Sequence, residues 1–84
     1  MPTRALFAGL IGERFALADD TLVLMAVTPL ANGAGFALVL TGDPAIVLAQ
    51  QTHLVRHPAL GEHPIFLGPI ARNERATTYE AVFA

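Results

Sequence analysis

Three histidines, His53, His57 and His63, lie close together in the second half of the chain. Imidazole binds zinc and copper well and changes charge near neutral pH, so metal binding and proton transfer are the chemistries to weigh first. On a helix, His53 and His57 would share a face. Pro58 instead holds His57 extended, and four residues of strand cover about 13 Å, too far for one ion. His57 and His63 flank a turn centred near Leu60 and are expected to face each other across a hairpin. Glu62 points to the opposite face from its neighbour His63, so the pair lacks a third ligand and no metal site is expected. The expectation is a solvated or hydrogen-bonded histidine pair. Together with Arg56 and Tyr79, His57 and His63 form the candidate interface or ligand contact. Arg56 is also expected to pair with Glu80 across strands.

Other constellations carry less. Asp19 and Asp20 are neighbours whose side chains diverge on an extended chain, so they read as a turn and not as a catalytic pair. Glu13, Glu62, Glu74 and Glu80 are dispersed, and their spacing sets no acid/base pair. Gly33-Ala34-Gly35 lacks the lysine and the following helix of a phosphate loop and reads as a hairpin turn. No catalytic residue and no cofactor is assigned.

Composition narrows the classes further. The 84 residues include no Cys, Ser or Lys, which removes the usual acyl-transfer nucleophiles, Schiff-base chemistry, thiolate metal sites and disulfides. Five Arg against seven acidic residues leave a net charge of −2. Nucleic-acid affinity rests on neutralising phosphates, so a nucleic-acid partner is not expected. The longest wholly apolar run, Leu22 to Val27, is far shorter than the roughly 20 residues of a membrane-spanning helix, so no membrane insertion is expected. Glu13 and Arg14 interrupt the stretch before Ala16-Leu17-Ala18, which argues against a signal peptide and for a cytoplasmic protein.

The elements that must position these residues are mostly strands. Thr3 can cap a short helix with Leu6, Phe7, Leu10 and Ile11 on one stripe, stopped by Gly12. Arg14–Ala18 alternates, with Phe15 and Leu17 on one face, and Asp19-Asp20 turns the chain. Thr21–Pro29 and Phe36–Thr41 are apolar at both parities, the pattern of strands covered on two sides. Asn32-Gly33-Ala34-Gly35 and Gly42-Asp43-Pro44 are turns. Ile46–Leu48 is too short to assign. Gln51–His57 is a strand leading into a loop from His57 to Pro64, Ile65–Ile70 a strand broken by Gly68-Pro69, and Arg72–Arg75 an exposed loop tip. Thr77–Phe83 closes the chain as a strand with Tyr79, Ala81 and Phe83 on one face, and is the candidate edge strand. Residues 1–84 therefore read as a single small all-β domain with a short N-terminal helix, about six short antiparallel strands forming a barrel or sandwich.

Phe15, Phe36, Phe66, Tyr79 and Phe83 fall one to a strand, a spacing that predicts a shared core and no base-stacking platform. A mean hydropathy of +0.53 is high for so short a chain. A domain of this size buries only about 60–65% of its unfolded surface, so apolar surface is expected to remain uncovered, as at interfaces.

Several phrases resemble a family of short bacterial proteins, a domain of unknown function. They are Phe7–Phe15, Ala26-Val27-Thr28-Pro29-Leu30, Phe36–Gly42, Leu54–Gly61, Ile65–Ile70 and Tyr79–Phe83, in the family's order along nearly the whole chain. Two positions depart from the pattern. Gln51 stands where the family has Gly, and His53 where it has Tyr, which marks His53 as a substituted aromatic position and not a ligand. The resemblance implies a neighbourhood of phage-tail-like collar and fibre proteins, and so a structural or accessory role, with later incorporation into an extracellular or tail-like assembly.

The expected function is a non-enzymatic structural or interaction subunit, self-associating or docking on a tail- or fibre-like protein assembly. It would act through an apolar sheet face or an exposed strand edge. The alternative is a small-ligand or carbohydrate-binding β domain that uses the Arg56–His63 hairpin and Tyr79.

Overall fold

Thr3 accepts a hydrogen bond from the Leu6 amide at 3.2 Å and so caps helix α1, Arg4–Ala8. The computed structural model describes residues 2–31 and 33–84. Six strands follow the helix: β1 (Arg14–Ala16), β2 (Thr21–Pro29), β3 (Phe36–Gly42), β4 (Gln51–His57), β5 (Gly61–Arg72) and β6 (Thr77–Phe83). They form a closed antiparallel barrel in the order β1-β2-β3-β6-β5-β4. The all-β expectation with a short N-terminal helix holds, and the architecture is a barrel.

Alternation builds the interior. Leu22 and Leu24 of β2, Leu38 and Leu40 of β3, Val55 of β4, Ile65 and Leu67 of β5, and Tyr79 and Ala81 of β6 all point inward and are buried. A six-stranded barrel is narrow enough for side chains to fill it. A bulge between Leu24 and Ala26 adds one residue to β2. Met25 is left exposed, and Val27 becomes the next residue against the core. Two-sided cover was expected for β2, but the outer side of a barrel wall faces water.

The two ends are plugged differently. At one end α1 inserts Phe7, whose ring lies 5.6 Å from Phe83, 6.0 Å from Phe36 and 6.4 Å from Phe15. Phe36 and Phe83 stack at 4.8 Å, where they face each other across β3 and β6. Phe7 and Leu10 are buried, but Leu6 and Ile11 are exposed, so the expected four-residue stripe is half as wide. At the other end the segment 43–50, which contains no strand, folds Leu48 into the core.

Three further expectations are corrected. Strand β6 pairs with β3 on one side and β5 on the other, so it is an interior strand and offers no edge. Strand β5 starts at Gly61 and runs through His63 and Pro64, and Gly68-Pro69 does not break it. The irregularity there is a register shift between Pro69 and Ala71. Phe66 points outward and is 57% exposed, so the aromatic residues do not all share the core. Asn32, part of an expected turn, lies outside the described residues.

Candidate functional site

Strand β1 is only three residues long and meets β4 through a single residue pair, Ala16 with Arg56. This seam is the shortest junction of the barrel, and two of the four candidate contact residues, Arg56 and His57, lie at it. His57, the last residue of β4, points inward and is 8% exposed. Its ring lies 4.7 Å from the ring of Phe15. The Ala59 amide donates to Nδ1 at 2.9 Å, and Nε2 lies 2.7 Å from Glu13 Oε1. Because Nδ1 accepts, the ring hydrogen sits on Nε2 and is donated to the carboxylate. Both ring nitrogens are therefore engaged within the chain. Glu13 is brought to His57 by its own backbone, since Gly12 donates to the Leu24 carbonyl and the Leu24 amide donates to the Glu13 carbonyl.

His57 and His63 do not face each other. The register sets His57 against Gly61 and Val55 against His63. His63 is half-buried beside Pro2, Pro64, Ile65 and Phe83, around a depression of about 300 Å³. His53 bonds the Ala49 carbonyl through Nε2 at 2.8 Å. Among the described residues no group of three His, Cys, Asp or Glu side chains comes together.

Tyr79 is fully buried. Its hydroxyl accepts from the Leu48 amide at 3.0 Å and donates to the Ile46 carbonyl at 3.3 Å. Nearby, Thr77 Oγ1 lies 3.2 Å from the Asp43 carbonyl and 3.0 Å from that of Ile46. Tyr79 thus ties the segment 43–50 into the barrel and presents no surface to a ligand. This removes it from the contact expected with Arg56, His57 and His63.

Arg56 points outward. Its cross-strand partner is Glu62, at 4.0 Å with both side chains about half exposed. Glu80 lies on β6, which is not a neighbour of β4, so the expected Arg56–Glu80 pair does not form. An exposed pair at that distance contributes little stability. The same outer face carries Thr21 opposite Ala16 on β2, and Arg14 two residues before Ala16 on β1. Arg14, Ala16, Thr21, Arg56, His57, Pro58, Gly61 and Glu62 line an open depression of about 400 Å³. Gly61 adopts φ of +71°, the left-handed region that a turn here requires and that favours glycine.

A second surface lies on the outer wall of β4, β5 and β6. Phe66, Ile70 and Val82 flank one shallow depression with Pro69 and Gln50. Leu54 lies diagonally from Phe66, because Thr52 pairs with Phe66 and Leu54 with Pro64. All four large apolar residues are more than half exposed. Glu80 is the single charged residue lining that depression.

Sequence reasoning found Arg56 and His57 but missed Glu13, the partner of His57, and Arg14, the second arginine of the seam. Both follow from the barrel closing β1 onto β4, a long-range pairing with no local signal. For the outer wall a signal existed. With Ile65 and Leu67 inward, Phe66 must point out.

A family model described as a domain of unknown function, DUF6916, matches residues 2–83, and the chain belongs to that family. No curated protein and no solved structure matches the chain.

Proposed function

We propose that this member of the DUF6916 family is a non-enzymatic interaction subunit that self-associates through the outer wall of β4, β5 and β6. The observation that carries the reading is the cluster of Leu54, Phe66, Ile70 and Val82, each more than half exposed. Contiguous apolar surface of this kind is characteristic of interfaces. A second copy is the occupant that this face fits best. A twofold contact buries the same patch on both copies, so the patch must be self-complementary. An apolar wall with one charged residue in its central depression meets that condition, whereas a strongly charged one would repel itself. The reading needs no added strand, because the contact is made by outward side chains of the wall.

The engagement of both His57 nitrogens and of the Tyr79 hydroxyl inside the chain favours structural roles for the two side chains best equipped for proton transfer. Among the described residues no helix is long and apolar enough to cross a membrane. The family resemblance extends the reading. The subunit is made in the bacterial cytoplasm and takes its place in a tail- or fibre-like assembly built from repeated copies.

Dilution of the labelled protein tests the assigned face. Amide signals of Leu54, Phe66, Ile70 and Val82 are expected to move with concentration while those of Arg14 to Thr21 stay fixed. Concentration-independent signals at the wall would contradict the reading.

A further inference from the structure

The depression at the β1–β4 seam adjoins the apolar wall, since Arg56 follows Leu54 by two residues on the outer face of β4, but it differs from the wall in kind. Its lining joins residues with little or no side chain, Ala16 and Gly61, to the ring of Pro58 and the side chains of Arg14 and Arg56. Arg56 sits directly across the seam from Ala16, and Arg14 projects from the same face two residues away. Diagonal neighbours of this kind are about 7–8 Å apart, within reach of one ligand for two long side chains. The Arg14 side chain has no hydrogen-bond or ion-pair partner among the described residues, and that of Arg56 has only the 4.0 Å contact with Glu62. A chain with five arginines and an acidic net charge therefore places two of them at one small depression.

We propose that this cavity binds a small monocarboxylate with an apolar body, its carboxylate held between Arg14 and Arg56 and its body resting on Ala16, Pro58 and Gly61. The charge balance sets the valence. Glu62 in the lining and Glu13, the carboxylate bonded to the lining His57, already stand beside the two arginines, so a monoanion is favoured over a dianion. A phosphate dianion would meet Glu62. The planar guanidinium matches a carboxylate through paired N–H donors. The open depression of about 400 Å³ can seat part of a molecule of roughly ten heavy atoms. The Thr21 hydroxyl stands at the rim as a further polar contact. His57 contributes only its ring, since its nitrogens are already engaged.

The test uses the full chain, isotope-labelled and titrated with 3-phenylpropionate to roughly 20 mM at constant ionic strength, a range that reads millimolar affinities. The expected result is saturable movement of the Ala16, Arg56 and Gly61 amides. Arg14→Gln and Arg56→Gln are each expected to weaken binding about tenfold while keeping the wild-type spectrum, because both side chains are solvent-facing and outside the core. The uncharged 3-phenylpropionamide, which needs no variant, is expected to bind at least about fivefold more weakly. Absence of saturable shifts, equal binding of the amide, unchanged binding by both variants, or tighter binding of inorganic phosphate would each overturn the proposal. A chain made monomeric by Phe66→Asp is expected to bind the acid unchanged, so failure here and failure of the self-association reading are separable.

Discussion

His57 donates its Nε2 hydrogen to Glu13 across 2.7 Å, joining residues 44 positions apart in the chain. The bond spans the place where the barrel closes with fewest backbone pairs. Glu13 directly precedes β1 and His57 ends β4, so one side-chain bond reinforces a seam that the main chain joins through a single pair, Ala16 with Arg56. The imidazole is buried against Phe15, and the carboxylate reaches it from a half-exposed position.

The arrangement dictates the histidine tautomer. With the Ala59 amide pointing at Nδ1, His57 is expected to carry its hydrogen on Nε2, as read from nitrogen shifts of the ring. Glu13→Ala is expected to lower stability by about 1 kcal/mol, since water can reach the orphaned Nε2–H from the exposed side. A ring protonated at Nδ1 alone would contradict the assignment.

Tyr79→Phe removes a hydroxyl that satisfies a buried amide, that of Leu48. An unpaired buried donor costs about 1–3 kcal/mol. Loss of roughly 10 °C in melting temperature is expected for a domain of this size. A variant as stable as the wild type would show that water or another group takes over the Leu48 amide.

Gly68 lies under the side chain of Gln50. A Cβ built there would stand 2.6 Å from Gln50 Cγ and 2.7 Å from its Cβ, and 3.1 Å from its Cα. The segment 43–50 would have to shift, and overpacking of this kind costs about 1–3 kcal/mol. Gly68→Ala is therefore expected to destabilise the barrel in urea unfolding. An unchanged midpoint would mean that the segment yields freely.

The seam is expected to open before the rest of the barrel. Strand β1 has three residues, whereas β3 pairs with β6 over seven positions. Amide exchange at Ala16 and Arg56 is expected to be faster than at Leu38 and Leu40, because short junctions open locally at lower free energy. Equal protection at both places would make closure of the barrel a single cooperative event.

Local patterns carried much of this fold. Thr21–Pro29, Gln51–His57 and Thr77–Phe83 have the bounds read from the sequence. Long-range partners were not legible. Nothing near Thr77–Phe83 distinguishes an edge strand from one lying between β3 and β5, because that depends on whether β3, far back in the chain, pairs along its other side. Arg56 meets Glu62 within the β4–β5 hairpin, which keeps β4 away from Glu80 on β6, whereas Glu13 reaches His57 only because β1 closes onto β4. Pro64 and Gly68-Pro69 read as breaks because proline cannot donate to a ladder. Strand β5 accommodates them with Pro64 exposed and a register shift after Pro69. Tyr79 read as a ligand contact from its chemistry. Its inward parity, shared with Ala81 and Phe83, was visible, but the segment 43–50 that covers it has no regular pattern.

The most direct test of the central claim is the mass in solution, by light scattering behind a sizing column over a concentration series. The wild-type chain is expected to form a discrete dimer or larger closed species, and Phe66→Asp, which puts a charge at the centre of the apolar wall, is expected to run as a folded monomer. A wild-type chain that remains monomeric at every concentration, or a Phe66→Asp variant that assembles equally well, would contradict self-association through this face.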